Sequence, residues 1–397
     1  MQRKYAEILA PAGDEDCLRA AVGAGADAVY FGLSSGFNAR AKAANFAPEN
    51  LADVFGWLHE RGAKGYVTFN TVVYQSELAT AERLLAAIAR AGADAIIVQD
   101  LGVARLAHAL APDLPIHAST QMTVSSPEGA AVARSLGVKR VVLPRELSIE
   151  EIRRFRAGTD LELEVFVHGA LCVSYSGQCL TSEAWGQRSA NRGQCAQSCR
   201  LPYDLVLDGK IAELGLEKYL LSPKDLGAFN LLPELVDAGV SCFKIEGRYK
   251  GPDYVAAAVE KYRKVRDAYC LRGERVELSR EDELELAFTH SRGFSPGWLA
   301  GDDHQELSHG LYPRHRGVRV GTVVSAGGYR VFVRPDPGAP PIKAGDWMVF
   351  DQGQPESEEP QGGIFAVEPP GRDGVIEVRF GDPGPDLDRL RPGDVLW

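Results

Sequence analysis

Before residue 250 the chain repeats one phrase four times: a small-residue helix end, a glycine, then an apolar run. The copies are Ala24-Gly-Ala-Asp-Ala-Val-Tyr-Phe-Gly32, Ala91-Gly-Ala-Asp-Ala-Ile-Ile-Val-Gln-Asp100, Leu136-Gly-Val-Lys-Arg-Val-Val-Leu-Pro144 and Ala238-Gly-Val-Ser-Cys-Phe-Lys-Ile-Glu246. Each reads as a helix C-cap glycine feeding a strand buried on both faces, the pattern of a parallel sheet. Further strand candidates at Glu7–Ala10, Gly65–Phe69, Pro115–Ala118 and Leu163–His168 bring the number to eight. Alanine-rich amphipathic segments separate them, for example Cys17–Ala24, Leu51–Arg61, Leu78–Ala91 and Pro127–Leu136. That spacing predicts an α/β fold of the (β/α)8, TIM-barrel-like kind. A doubly wound open sheet is the competing fold, and no G-x-G-x-x-G follows the first strand to favour it.

A long interruption from about Gly169 to Leu235 separates the seventh and eighth strands. Insertions after a strand's C-terminal end lie over the active-site mouth of such barrels. Beyond the helical stretches Asp253–Leu271 and Arg280–Ala287 the pattern changes near Arg316, giving a first domain over 1–315 and a second over 316–397. The second alternates β-like runs (Val318–Val324, Tyr329–Val333, Trp347–Phe350, Val375–Phe380) with Gly, Pro and Asp turns, as a small β-barrel does. The polar Asp351–Gly363 reads as a mobile loop within it.

Asp and Glu number 54 against 44 Lys and Arg, a net charge of -10, so general electrostatic capture of nucleic acid or anionic membrane is not expected. No segment has the length and apolarity of a membrane span. The opening MQRKYAEILAPAGD reaches Pro, Gly and acids before a signal peptide could accumulate. A cytoplasmic protein is expected.

Four of the seven cysteines, Cys172, Cys179, Cys195 and Cys199, fall within 28 residues at the spacing C-x6-C-x15-C-x3-C. In a reducing compartment four clustered thiols among glycine-rich loops suit an iron–sulfur cluster or structural zinc. The paired C-x2-C knuckles usual for zinc are absent, which favours the cluster. The polar residues at predicted strand ends form the candidate pocket: Asn38 and Arg40, Asn70, Gln121, Arg145, His168, then Lys244, Glu246 and Arg248. The last three alternate along one strand and are expected to line the mouth together, with His168, Glu246 and Lys244 as candidates for proton transfer. Arg40, Arg145 and Arg248 can hold carboxylates by bidentate pairing. Arg188, Arg192 and Arg200 in the insert, with Lys244, Arg248, Tyr249 and Lys250 near the last strand, can supply phosphate and stacking contacts. No His-Glu-x-x-His helix exists, and Gly32-Leu-Ser-Ser-Gly36, though it fits G-x-S-x-G, is not followed by a helix-opening pattern.

The stretch Glu164-x-Phe166-x2-Gly169-Ala-Leu-Cys172-x4-Gly177-x-Cys179 resembles the signature of the collagenase-like peptidases, peptidase family U-32. Leu9-Ala-Pro-Ala-Gly13, Gly25-Ala-Asp-Ala-Val-Tyr30, Asn191-Arg-Gly-Gln-Cys195 with Cys199-Arg200, and Lys244-Ile-Glu-Gly-Arg248 match in the same order, so the resemblance covers about residues 6–315. The resemblance implies an enzyme that hydroxylates C5 of a pyrimidine in tRNA or rRNA with prephenate required; a peptidase and a non-catalytic maturation factor are the alternatives. Other relatives serve oxygen-independent ubiquinone hydroxylation with a [4Fe-4S] cluster. By the same resemblance Cys172, Cys179 and Cys195 map onto cluster cysteines. The relatives' fourth follows an Asp-Leu pair that here reads Asp225-Leu226-Gly227, so Cys199 is the substitute, with Cys242 behind it. RNA and a small carboxylate donor are the implied partners.

Overall fold

A computed structural model describes residues 5–353 and 358–397. Eight parallel strands, β1 (Glu7–Pro11), β2 (Ala28–Gly32), β3 (Lys64–Phe69), β4 (Ala95–Val98), β5 (Ile116–Ala118), β6 (Val138–Val142), β7 (Glu162–Ala170) and β8 (Cys242–Ile245), run in sequence order, and β8 pairs with both β7 and β1 to close the barrel. The glycines of the repeated phrase do what their position requires. Gly25, Gly92, Gly137 and Gly239 have φ of 91°, 90°, 92° and 85°, a left-handed turn that ends each helix and releases the chain into the next strand. Helix starts are capped by side chains: Asp14 accepts from Cys17 N at the head of α1 (Glu15–Gly23), and Asp100 accepts from Val103 N at 3.0 Å at the head of α4 (Leu101–Leu110). The intervening helices are α2 (Leu51–His59) and α3 (Leu78–Arg90), followed later by α5 (Pro127–Ser135), α6 (Ile149–Ala157), α7 (Leu232–Asp237) and α8 (Pro252–Asp267).

The strands were expected to be apolar on both faces, and the inner face is not. Arg140 Nη1 lies 2.7 Å from Glu7 and 3.4 Å from Glu164, Lys244 Nζ lies 2.6 Å from the other Glu164 oxygen, and the Tyr66 hydroxyl donates to Glu7 at 2.8 Å. These groups are buried. Their charges are tolerated inside because each acid has a cation or a donor at contact distance.

Past β7 the insert carries a short helical stretch, Thr181–Gly186, and the hairpin Val206–Leu207 with Lys210–Ile211; Asp225–Gly227 then returns antiparallel to β7. A boundary at 315/316 does not describe the chain. Residues 1–201, 221–282 and 293–308 make one compact unit, and 202–220, 283–292 and 309–397 make the other. The hairpin thus belongs to the second unit rather than to the barrel.

In that unit six antiparallel strands close in the order β9 (Gly321–Gly327), β10 (Arg330–Pro335), β13 (Ile376–Phe380), β12 (Gln361–Val367), β11 (Trp347–Asp351), β14 (Val395–Leu396) around Val331, Val333, Phe350 and Val378. The predicted loop Asp351–Gly363 is shorter than expected, since Asp351 ends β11 and Gln361 opens β12; its residues 354–357 lie outside the described residues. Among the described residues no helix is long and apolar enough to cross a membrane.

Candidate functional site

At the C-terminal end of the barrel one carboxylate faces three guanidiniums. Glu246, just past β8, lies 2.9 Å from Arg145 and 3.2 Å from Arg40. Burial raises the acid's pKa, but Arg40, Arg145 and Arg248 outweigh it and bring the value down to about 2. Arg248 donates to Thr68 Oγ1 at 2.9 Å and to Asn38 Oδ1 at 3.3 Å, and burial lowers its own pKa to about 10. Arg145 also donates to Ala170 O at 3.0 Å and stands 3.9 Å from the Phe166 ring centroid. The loop after β2 is locked to the next strand: Asn70 Oδ1 accepts from Ala39 N at 3.0 Å, and Asn38 Oδ1 accepts from Arg40 N at 2.9 Å. Gly169 makes room for Glu246. At φ 96°, a Cβ there would meet Glu246 O at 2.5 Å and the Tyr254 hydroxyl at 2.7 Å.

Two of the three residues expected to carry protons are placed elsewhere. Lys244 does not join Glu246 and Arg248 at the rim. It sits deeper in the barrel, bound to Glu164, with the Tyr30 ring 4.4 Å from its ammonium. His168 is turned away from the mouth altogether. Strand β7 slips register against β8 between Phe166 and His168, which puts His168 opposite the outward-facing Ile245 and reverses the alternation begun at Glu164 and Phe166. The ring is enclosed by Tyr254, Tyr262 and Phe294 at centroid distances of 5.3 to 5.5 Å. Burial lowers its pKa to about 4, and its Nε2 has no hydrogen-bond partner among the described residues.

The four thiols of the insert share one neighbourhood. Burial raises the pKa of Cys199, and Cys172, Cys195 and Cys179 raise it further. Burial likewise raises that of Cys172, with Arg145 acting against it and Cys179 and Cys195 with it. Their loops are tied to the barrel rim by Thr123 Oγ1, just past the turn that holds Gln121, which donates to Ser176 O at 2.9 Å, and to each other by Asn191 Nδ2, which donates to Gly177 O at 3.0 Å. Among the described residues no three His, Cys, Asp or Glu side chains are gathered closely enough to hold a single metal ion. Cys242 belongs to the opposite end of the barrel, at the start of β8 in register with Glu7 and Glu164.

The arginines proposed for RNA divide. Arg192 grips Glu77 with both terminal nitrogens at 2.7 Å and Val72 O at 2.7 Å, and Arg200 donates to Ser222 Oγ at 2.7 Å and Leu171 O at 3.1 Å. Arg192 fastens the insert to the barrel, and Arg200 closes the insert on itself. Arg188 lies in an exposed stretch. Ser34 stands in an exposed turn with no helix before Pro48, so the nucleophile-elbow geometry is not formed. Sequence reasoning missed Thr68 and Tyr30, which support Arg248, and Glu164, which holds Lys244; the alternation Lys64, Tyr66, Thr68 along β3 was the available signal.

The model of peptidase family U32 matches residues 13–309. The chain is similar to the "23S rRNA 5-hydroxycytidine C2501 synthase" of Escherichia coli, 45% identical over 263 residues, which are 66% of this chain and 39% of that protein. It is 40% identical to the "tRNA hydroxylation protein P1" of Bacillus subtilis, over 75% of this chain and 72% of that one. It is 38% identical to the "Collagenase" of Porphyromonas gingivalis, over 76% and 75%. The matched region thus spans well under half of the Escherichia coli protein.

Proposed function

The chain belongs to peptidase family U32, and from that footing we propose that it is a cytoplasmic iron–sulfur hydroxylase forming 5-hydroxycytidine or 5-hydroxyuridine in rRNA or tRNA, with prephenate as co-substrate. The observation that carries the reading is the charge imbalance at the mouth, three guanidiniums against the single carboxylate of Glu246. That leaves an excess of two positive charges in a buried pocket, which a dianion would neutralise; prephenate carries two carboxylates. Arg145 and Arg40 link this pocket to the thiols, since Arg145 acts on Cys172 and Cys195 acts on Arg40.

The donor set suits a [4Fe-4S] cluster in kind and number. A cuboidal cluster holds its four sulfurs farther apart than one ion does, which agrees with thiols that neighbour one another without forming a single-ion cage. Bound there, the cluster would supply one-electron redox chemistry beside the pocket. The protein's own part is to orient the anion through Arg40, Arg145 and Arg248, to fix those arginines through Glu246, Asn38 and Thr68, and to keep the pocket dry through Phe166 and Tyr30. Zinc at the four thiols is the competing assignment. Peptidase action, raised by the name of the Porphyromonas gingivalis relative, finds no nucleophile–histidine pair at the mouth among the described residues, because His168 faces α8.

Deleting the gene and comparing nucleoside mass spectra of tRNA and rRNA tests the reading. A pyrimidine nucleoside lighter by one oxygen atom, restored by the wild-type gene, is the expected result. An unchanged spectrum, with gelatin degraded by the purified protein, would return the peptidase; an unchanged spectrum without proteolysis would leave the maturation factor. Iron with acid-labile sulfide in an anaerobic preparation supports the cluster, and zinc without sulfide would replace it.

A further inference from the structure

Tyr249 follows Arg248 directly and, unlike Tyr30 and Tyr254, is exposed. Tyr30 is 3% exposed and Tyr254 is 4% exposed, whereas Tyr249 is 48% exposed. Arg40 stands over its ring, 5.7 Å from the centroid, and Arg40 is itself held by Glu246 and by its bond to Ala39 O at 3.1 Å. Single exposed aromatics are ordinary on protein surfaces. Here, however, the cation stacked on the ring belongs to the anion pocket, so the ring is fixed relative to the place where the donor binds. A preorganised ring backed by a guanidinium offers stacking to a planar partner at little cost in side-chain entropy. The chain's charge of -10 gives a polyanion little long-range attraction. Arg192 and Arg200 are committed to Glu77 and Ser222. Base stacking can then add to what phosphate contacts supply.

We propose that Tyr249 is the platform on which the target pyrimidine of a single-stranded RNA segment stacks, with Arg40 fixing the ring so that the base lies beside the anion held by Arg145 and Arg248. This rests on the RNA-hydroxylase reading and names the side chain that receives the base. Such a platform would select an unpaired base, since a flat aromatic face can be reached only by a nucleotide that has left its own stack.

The test uses the full chain, purified anaerobically, with fluorescein-labelled oligouridylate and oligocytidylate as probes and prephenate titrated separately. Tyr249→Ala is expected to weaken oligonucleotide binding about tenfold, the scale of one lost stacking contact, with prephenate binding unchanged. Tyr249→Phe and Tyr249→Trp are expected to bind as the wild type does. A shallow dependence of the wild-type affinity on salt is expected as well. Equal oligonucleotide binding by Tyr249→Ala and wild type would overturn the proposal, and so would a loss confined to prephenate, which would assign the ring to the donor instead. If the deletion strain's nucleosides are unchanged and the wild type binds neither oligonucleotide, the hydroxylase reading itself has failed; normal modification with an indifferent Tyr249→Ala removes only this assignment.

Discussion

At neutral pH His168 is uncharged, because burial among Tyr254, Tyr262 and Phe294 lowers its pKa to about 4. The unfolded chain takes up that proton near the ordinary value of 6.5, so between pH 6.5 and 4 the unfolded state binds more protons and the fold loses stability as the pH falls, by roughly 3 kcal/mol at the lower limit. Glu246 acts over a lower window. Its carboxylate, held near 2 against an ordinary 4.5, contributes stability that is present above pH 4.5 and is lost as the pH falls through 2. Urea midpoints measured from pH 7 to 3 should therefore fall in two stages, and His168→Gln should flatten the first while leaving the second. A single unaltered slope in the variant would show that His168 has no part in it. Arg248→Ala is expected to keep its iron and its fold yet lose prephenate affinity at least tenfold, read by calorimetry, because Asn38 and Thr68 remain to hold the pocket wall but cannot replace a charge. The rim residues Arg40, Arg145, Glu246 and Arg248 were legible in the sequence because strand ends can be counted. His168 was not, because one extra residue in the strand before it reverses every side chain that follows.

The elements were readable where backbone conformation demanded a particular residue. The glycine ending four of the helices, α1, α3, α5 and α7, announced four strands, and the intervening apolar runs announced the others. The ionic column inside the barrel was not readable, since period-two patterning tells inside from outside only when the inside is apolar, and here Glu7, Arg140, Glu164 and Lys244 occupy it. Gly169→Ala is expected to lower stability by about 2–4 kcal/mol in urea denaturation, because the methyl group would have to displace the Glu246 backbone or the Tyr254 hydroxyl, and the backbone there is left-handed. A variant as stable as wild type would mean that β7 moves freely at its end. For the insert, Cys199→Ala should remove iron and sulfide together while Cys242→Ala keeps both, since Cys199 shares the neighbourhood of Cys172, Cys179 and Cys195 and Cys242 does not. The reverse result in metal analysis would move the fourth ligand into the barrel.

For the whole molecule, the change in sequence character near Arg316 located the second barrel but not its membership, because residues 202–220 and 283–292 carry no β-barrel pattern of their own. Within that unit Tyr219 N donates to Gly310 O at 2.8 Å, and a Cβ on Gly353 would touch Leu216 at 3.2 Å. A chain ending at Ser308 should consequently uncover Tyr219, which is buried in the complete unit, and should aggregate or elute in the void volume; a monodisperse product would contradict this. The division into interleaved segments also bears on synthesis. The chain passes between the units five times, so residues 202–220 leave the ribosome on the order of ten seconds before the strands that complete their unit. During that interval Tyr219 lacks the Gly310 carbonyl and the packing that bury it in the finished unit, which makes this segment the stretch a nascent-chain chaperone would hold.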